Sequence, residues 1–418
     1  MERPQNLQTL YIDFDAFFAH VEKQLDPSLH GRPVGVTPLP SDYSGLIACC
    51  YQAKEAGVRR GMRVSDARAL VPNIAIRPAR HDVYVQQNKT IVSVIERFAP
   101  ITKIWSIDEV ECDIGRTSTD EAMQLGRTVR DALAATCGSI ITPSIGLSCN
   151  WLLAKIAAEM DKPYGLVVLH PKDLPGRLLD IAIGDVPGVG RRMEDRLANA
   201  GITSMQSLLD ISPKQARALW RSVEGERLIL QLHGHETPRA STQRRMYGHG
   251  RILSGAWRQP HKAEECLHLL LSMAARRMRR DGFLATRLCV SIKTKLGVKF
   301  SCEEQFACTK GELSLLHFAK HAYRRCLQRG QSCQLRQIYV QLYGLQTEEN
   351  RCDDLFAYAD NAAANTLDEL VSDAMDEVNN RYGNNTIKFG TSKQPPGGFA
   401  GTKIAFGRIP SLSDFDAS

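Results

Sequence analysis

Thr9-Leu10-Tyr11-Ile12-Asp13-Phe14-Asp15 is a run of apolar and β-branched residues that closes on two carboxylates. It reads as a buried strand, and Ala16 to Gln24 continues as a helix with Phe17, Val21 and Leu25 turned inward. A second apolar run, Ile101 to Ile107, follows the break at Pro100 and ends in Asp108 and Glu109. Charge therefore sits where two strands stop, which places three or four carboxylates at one sheet edge. Clustered carboxylates repel unless cations neutralise them. Hard divalent ions do this with oxygen ligands, and Mg²⁺ keeps open positions for phosphate oxygens and an attacking hydroxyl. Adjacent Asp108 and Glu109 would face opposite ways in a regular strand, so both can serve one site only where the backbone bends. Either acidic motif alone reads equally well as a cap at a strand end.

Outward from that edge the chain runs to 418 residues, enough for two to four compact units. Its 12 cysteines form no CxxC pair, and no signal-like N-terminus precedes them, so neither a disulfide framework nor a zinc ribbon is supported and a reducing cytosol is expected. No apolar run approaches the roughly 18 residues of a spanning helix, so no membrane role is expected. The formal charge of +7 is uneven. Residues 1–238 carry 27 Lys and Arg against 28 Asp and Glu, residues 239–347 carry 20 against 6, and residues 348–418 carry 6 against 12. A +14 block joined to a near-neutral body is the footprint of a polyanion-binding module. A basic solvated surface without a partner is the plainer alternative.

Strands and helices intermix to about residue 169, including helices Val83 to Phe98, Asp120 to Thr136 and Asn150 to Met160 and a strand Ile140 to Ser148. Pro171 to Glu236 reads as short helices broken at Pro187-Gly188-Val189-Gly190, Gly201 and Pro213. Thr237 to Gly248 is poor in apolar residues and reads as a linker. The basic block resolves into β-α-β-β-α-β, a ferredoxin-like order: strand Arg251–Leu253, helix His261–Asp281, strands Ala285–Lys295 and Val298–Phe306, helix Gly311–Gln328, strand Gln337–Leu345. Period-2 alternation sends Leu288, Val290, Ile292, Val298, Phe300, Ile338, Val340 and Leu342 to the helices. Arg287, Lys293, Lys295, Lys299, Tyr339 and Tyr343 are left on an open basic face, suited to sugar-phosphate contact without base reading. The acidic tail holds a helix Thr366 to Arg381 and then a Gly, Asn and Pro-rich end expected to be loosely ordered. The pair His317 and His321 has helical metal-ligand spacing but no apparent third ligand, so a solvated basic face is the better reading.

Tyr11-Ile-Asp-Phe-Asp-Ala-Phe-Phe-Ala-His-Val-Glu22, Tyr51-Gln-Ala-Lys54 with Gly57-Val-Arg-Arg-Gly-Met62, Ser106-Ile-Asp-Glu109, Gly146-Leu-Ser-Cys-Asn150 with Leu153-Ala-Lys-Ile-Ala157, and Asp161-Lys-Pro-Tyr-Gly165 resemble, in order, the motifs of Y-family translesion DNA polymerases. The likeness is greatest to the bacterial DNA polymerase IV branch and covers about residues 8 to 345. Asp185-Val-Pro-Gly-Val-Gly190 is similar to the helix-hairpin-helix of that family's thumb, where N–H groups at a helix start take a DNA phosphate.

The resemblance implies an α+β multidomain fold. A palm with a mixed sheet would span 1–20 and 78–169, small fingers 21–77, a helical thumb 170–238, a linker 239–248, a basic little finger 249–347 and an acidic, partly disordered tail 348–418. It implies error-prone, template-directed DNA synthesis by a monomer on primer-template DNA with dNTPs, in the bacterial cytoplasm at the nucleoid. Asp13, Asp108 and Glu109, with the backbone carbonyl of Phe14, would hold two Mg²⁺ ions. Tyr51, Lys54 and Lys162 would grip the triphosphate, and Phe18 would be the steric gate against a ribose 2′-hydroxyl. Gly188, Gly190, Arg287, Lys293, Lys295 and Lys299 would meet the DNA backbone, while Asp15 would be structural. Cys352-Asp353-Asp354-Leu355-Phe356 resembles a sliding-clamp peptide without its leading Gln, with Leu355 and Phe356 as anchors. The chain departs from the pattern at three places. Glu111-Cys112 replaces an aromatic and an aliphatic residue and adds a carboxylate near the site, Lys54 replaces a more usual Arg, and Ala48 stands where a hydroxyl is common. Two other readings compete. A catalytically silent polymerase-like adaptor at damaged DNA would be expected to lack the carboxylates, and a palm-like nucleotidyl cyclase would have no use for a duplex-binding block.

Overall fold

The computed structural model describes residues 6–239, 244–253, 255–330, 334–351, 362–383, 386–390 and 409. It divides into two compact units, with Met1–Ala240 in the first and Ser241–Gly401 in the second.

In the first unit, β1 (Leu7–Phe14) leads into α1 (Phe17–Leu25). A small lobe follows, with β2 (Val34–Thr37), β3 (Ala48–Cys49), α2 (Tyr51–Glu55), α3 (Val64–Leu70) and β4 (Ala75–Pro78). There β2 pairs antiparallel with β3 and parallel with β4. The chain returns through α4 (His81–Ile95) to β5 (Ile101–Ile104), β6 (Glu109–Thr117), α5 (Thr119–Cys137), β7 (Pro143–Ser148), α6 (Trp151–Met160) and β8 (Leu166–Leu169). These strands make a sheet of order β5-β6-β1-β7-β8 in which only β7 and β8 run parallel. Because β1 is central and covered on both faces, it reads as continuous apolar sequence rather than alternation. On β7, the helix α6 comes so close that a Cβ added at Gly146 would stand 1.9 Å from the Ala154 carbonyl oxygen. Glycine is what admits the helix there.

Two strand boundaries differ from the sequence expectation. The run Ile101 to Ile107 stops as a strand at Ile104, and Glu109 opens β6 rather than ending a strand. Residues 105–108 form the turn between them, closed by Trp105 N–H on the Glu109 carbonyl (3.0 Å) and tied to β1 by Phe14 N–H on the Asp108 carbonyl (2.8 Å). Likewise β7 begins at Pro143, since Ile140 is held by a loop contact, its N–H donating to Gln24 Oε1 (3.1 Å).

Beyond β8 lie α7 (Arg191–Asn199), α8 (Met205–Leu209), α9 (Pro213–Trp220) and α10 (Val223–Leu232). Leu197, Leu208, Ala216 and Ile229 share a core with Leu152, Leu153 and Ile156 of α6. Ser204 and Ser212 start α8 and α9 with capping boxes, closed by Ser207 and Gln215.

The second unit contains β9 (Met246–Ile252), α11 (Pro260–Arg280), β10 (Phe283–Thr294), β11 (Lys299–Thr309), α12 (Glu312–Gly330), β12 (Leu335–Tyr343), the short β13 (Gln346–Thr347) and α13 (Ala362–Tyr382). Its antiparallel sheet has the order β11-β10-β12-β9, the β-α-β-β-α-β arrangement read from sequence. Leu288, Val290, Ile292, Ile338, Val340 and Leu342 are buried under α11 and α12. Val298 is not: it is 50% exposed, because the turn closing β10 at Thr294 takes it up and β11 starts one residue later. Phe300 is half-buried.

β9 begins inside the stretch 239–248 read as linker. The misleading signal was the shortage of apolar residues, and the strand's glycines have their physical reason in Tyr339 on the neighbouring strand. A Cβ at Gly250 would lie 2.2 Å from the Tyr339 ring, and one at Gly248 2.6 Å from its hydroxyl. The glycines let the ring lie across β9, so they belong to a strand.

α13 contains the expected helix and docks on the second unit through charge. Asp376 pairs with Arg279, and the Asp368 carboxylate accepts from the N–H groups of Leu313 and Ser314 at the start of α12. The peptide Cys352 to Phe356, with Leu355 and Phe356, lies outside the described residues.

Candidate active site

Asp13 and Glu109 are register partners across β1 and β6, and Asp108 occupies the turn just before Glu109. The turn explains how neighbouring carboxylates serve one edge: Asp108 is off the strand pleat and Glu109 is on it. Ser106 Oγ donates to Asp108 Oδ1. Burial drives the Asp13 carboxyl well above the usual range, Glu159 and Asp108 add to the rise, and Lys162 opposes it. Asp108 is also raised, first by burial and then by Glu109, with Ser106 and Lys162 opposing.

Two lysines supply positive charge at this edge. Lys162 Nζ lies 2.7 Å from both Asp13 and Glu159. Burial pulls its pKa down, but the two carboxylates outweigh this and leave it above the usual lysine value. Lys155 Nζ pairs with Glu109 and donates to Tyr11 Oη at 3.1 Å. Asp13 and Glu109 are each held by an ammonium and Asp108 by the Ser106 hydroxyl, and no group of three or more His, Cys, Asp or Glu side chains closes into a metal cage among the described residues. The donor set still fits a hard cation, because it is all oxygen and burial raises the Asp13 and Asp108 carboxyls in pKa.

Asp15 is different. Its carboxylate accepts from Ser144 Oγ (3.0 and 3.1 Å), Thr142 Oγ1 (3.3 Å), Tyr164 N–H (2.8 Å) and Tyr51 Oη (3.3 Å). Four protein donors occupy it. The same bond fixes Tyr51 at the start of α2, and Lys54 Nζ lies 4.1 Å from the Tyr51 ring centroid. Tyr51 also lies within electrostatic reach of Lys162, so the residues expected at the triphosphate gather beside the carboxylate edge.

Ala16 stands at φ 45°, a left-handed turn that swings α1 away from β1. Phe18 then stacks on Tyr84 of α4, with centroids 4.4 Å apart and planes 14° from parallel. Tyr84 Oη donates to Glu22 (2.8 Å), which in turn holds Arg80 by two bonds of 3.0 and 2.7 Å. The sequence reading left out this support of the ring, as well as the places of Lys155 and Glu159. Lys155 stood in a quoted motif, and Tyr84 only in a helical period.

In the helical section, Gly188 at φ 95° turns the chain and Gly190 precedes α7. Nothing lies within 4 Å of where a Cβ would stand at either, and within the turn the Val189 N–H donates to the Val186 carbonyl at 2.9 Å. In the second unit, Arg287, Lys293 and Lys299 lie on the sheet face opposite the helices, with Lys293 directly across from Lys299. Lys295 sits beyond the end of β10, in the turn. Like charges directly across strands repel. Neither Lys293 nor Lys299 has an ion pair among the described residues, and both line a shallow pocket with Ser291, Gln337 and Tyr339. The face is less uniformly basic than expected, since Glu303 stands across from Cys289.

Residues 12–159 match the model of the impB/mucB/samB family, and residues 244–355 match that family's C-terminal domain. The chain is 32% identical over 390 residues to the DNA polymerase IV of Moorella thermoacetica, covering 90% of this chain and 94% of that protein. The chain belongs to the Y-family DNA polymerases, in the branch of the bacterial DNA polymerase IV proteins. The DNA polymerase IV of Bacillus velezensis is 26% identical over 397 residues, 91% of this chain and 92% of its own. Among solved structures, a Y-family DNA polymerase chimera built largely from Dbh superposes with a TM-score of 0.69 at 22% identity, over 82% of this chain and all of its own. The five-stranded mixed sheet is thus a palm, the β2-β3-β4 lobe the fingers, the helical section a thumb and the ferredoxin-like unit a little finger. The activity is DNA-directed DNA synthesis of the translesion type, in a family that works with divalent metal ions. Among the described residues no helix is long and apolar enough to cross a membrane.

Proposed function

We propose that this polymerase adds dNMP to a primer 3′-hydroxyl with two Mg²⁺ ions held by Asp13, Asp108, Glu109 and the Phe14 carbonyl. The observation that carries the reading is the meeting of the three carboxylates at one sheet edge, with Lys162 beside them. Bound there, the ions would lower the pKa of the 3′-hydroxyl and balance charge on the leaving pyrophosphate. Lys162 releases Asp13 and turns to the phosphates, with Lys54 as a second point charge and Tyr51 as a hydroxyl donor. Phe18, braced by Tyr84, stands against the sugar and favours dNTP over rNTP. A solved structure described as an insertion ternary complex of Dbh DNA polymerase, with a TM-score of 0.54, supports the fold in which such a complex forms.

The N–H groups around Gly188 and Gly190 take a backbone phosphate, and Arg287, Lys293, Lys295 and Lys299 take others across the little finger. We place the domain boundaries where the family pattern puts them and keep Leu355 and Phe356 as a clamp-docking peptide. The protein works as a monomer in the bacterial cytoplasm at the nucleoid, a reading supported by its bacterial relatives. Primer extension with Mg²⁺ and dNTPs on intact and damaged templates tests the chemistry. Wild type should extend and Asp108→Ala should not; unchanged extension by the variant would refute the assignment of the carboxylates.

A further inference from the structure

Glu111 follows Glu109 on the same face of β6, yet its carboxylate is turned away from metal chemistry. It is almost fully buried and both oxygens are taken. Arg239 grips them as a fork, at 2.8 and 2.5 Å, and Trp105 Nε1 donates to Oε2 at 2.9 Å. Trp105 stacks on Trp151 with centroids 4.6 Å apart, and the Arg239 guanidinium lies 5.5 Å from each ring. Next to Trp151, Asn150 Nδ2 donates to the carbonyls of Gln231 (2.9 Å) and His235 (3.2 Å). One joint therefore binds the turn that bears Asp108, the strand that bears Glu109, the start of α6 and the chain leaving the thumb.

We infer that Glu111 and Arg239 are positioning residues that set the 105–111 hairpin, and with it Asp108 and Glu109, against the chain that leaves α10. The fork has two contacts and the indole a third, so the strand cannot twist about its axis without breaking one. Among the described residues, Asp108 is otherwise held by Ser106 and by its backbone bond to Phe14, and its turn by Asn88 Nδ2 on the Ile107 carbonyl at 2.8 Å. Arg239 precedes β9 by six intervening residues in the sequence.

The test compares full-length wild type with Glu111→Gln, which keeps the shape and loses the charge, and with Arg239→Lys, which keeps the charge and loses the fork. Single-nucleotide insertion is followed across a Mg²⁺ titration, with melting temperature measured on each protein. Removing an outer support of metal ligands typically costs 10-fold to 100-fold. Both variants should therefore lose kcat by about 10-fold and need several-fold more Mg²⁺ for half-maximal rate, with KM for dNTP within about twofold. The double variant Glu111→Met/Arg239→Met, which leaves no unpaired charge, should melt near wild type and still show both losses. Wild-type kcat and Mg²⁺ dependence in folded single variants would overturn the inference. So would losses that vanish in the double variant, since packing alone would then suffice.

Discussion

Gly146→Ala tests how tightly the palm couples sheet packing to chemistry. The new Cβ would stand 1.9 Å from the Ala154 carbonyl oxygen and 2.4 Å from the Ala158 nitrogen, both backbone atoms of α6. Ordinary contact begins at 3.4 Å, so the helix must back off the sheet by about 1.5 Å. A gap of 0.5–1 Å already forfeits a quarter to a half of the dispersion energy, and α6 buries Leu152, Leu153, Ala154, Ile156, Ala157 and Ala158. Overpacking costs 1–3 kcal/mol where side chains can adjust, and more where backbone must move, so about 4 kcal/mol is expected. For a unit of this size that lowers Tm by roughly 12 °C. Tyr11 of β1 packs on Ala154 and Ala158 of the displaced helix, so the strand that carries Asp13 would shift and insertion should slow by about 100-fold even at a temperature where the variant stays folded. Differential scanning calorimetry and single-turnover insertion measure the two effects. Gly126→Ala is the contrast: its Cβ meets only the tip of the Leu166 side chain at 2.7 Å, which can rotate away, and gains helix propensity. A Gly146→Ala protein melting within about 2 °C of wild type would refute the backbone contact.

Phe18→Ala should admit rNTPs far more readily, and Tyr84→Leu, which removes a stack worth about 1 kcal/mol, should relax dNTP selection by about fivefold; equal rNTP exclusion in all three proteins would remove the gate from Phe18. His20 is buried, chiefly for that reason its pKa falls to about 4, and Lys23 and Lys54 push the same way. The unfolded chain takes up the proton near pH 6.5 and the folded chain only near 4, so this part of stability is complete above pH 6.5 and is lost on acidification, by about 2 kcal/mol at pH 5. Denaturant unfolding from pH 7.5 to 5 should show that loss in wild type and less of it in His20→Leu; identical slopes would contradict it. Reversing Lys293 and Lys299 to Glu should weaken DNA binding equally across sequences and reduce the salt slope by about 2, whereas a sequence-selective loss would contradict backbone contact.

Where the sequence was legible, neighbours along the chain carried the information. Alternation placed six little-finger core residues, and an uninterrupted apolar run announced β1 as central. It was misleading where a distant residue decided the outcome. Residues 239–248 read as linker because apolar residues are few there, while the ring that Gly248 and Gly250 accommodate, Tyr339, lies on another strand. The turn between Ile104 and Glu109 was hidden because its apolar residues continue the strand pattern, and only cross-strand bonds reveal where the pleat stops.

The carboxylates show the same limit in energetic terms. Asp13, Asp15, Asp108, Glu109 and Glu111 lie in two short motifs, and from sequence each could be a metal ligand. Folding sorts them by who satisfies them. Asp15 is occupied by two hydroxyls and an amide from one side and by Tyr51 from the other, and Glu111 by an arginine 128 residues away. A carboxylate with its lone pairs filled by protein donors gains little from a cation, whereas Asp13 and Asp108 stay raised in pKa by burial that one lysine only partly offsets. Unpaid desolvation is what draws a divalent ion, so the residues that remain electrostatically unfinished after folding are the ones left for chemistry. Glu109 joins them because its partner Lys155 is a single point charge on a mobile stem that an ion can displace, unlike the fork and indole that hold Glu111.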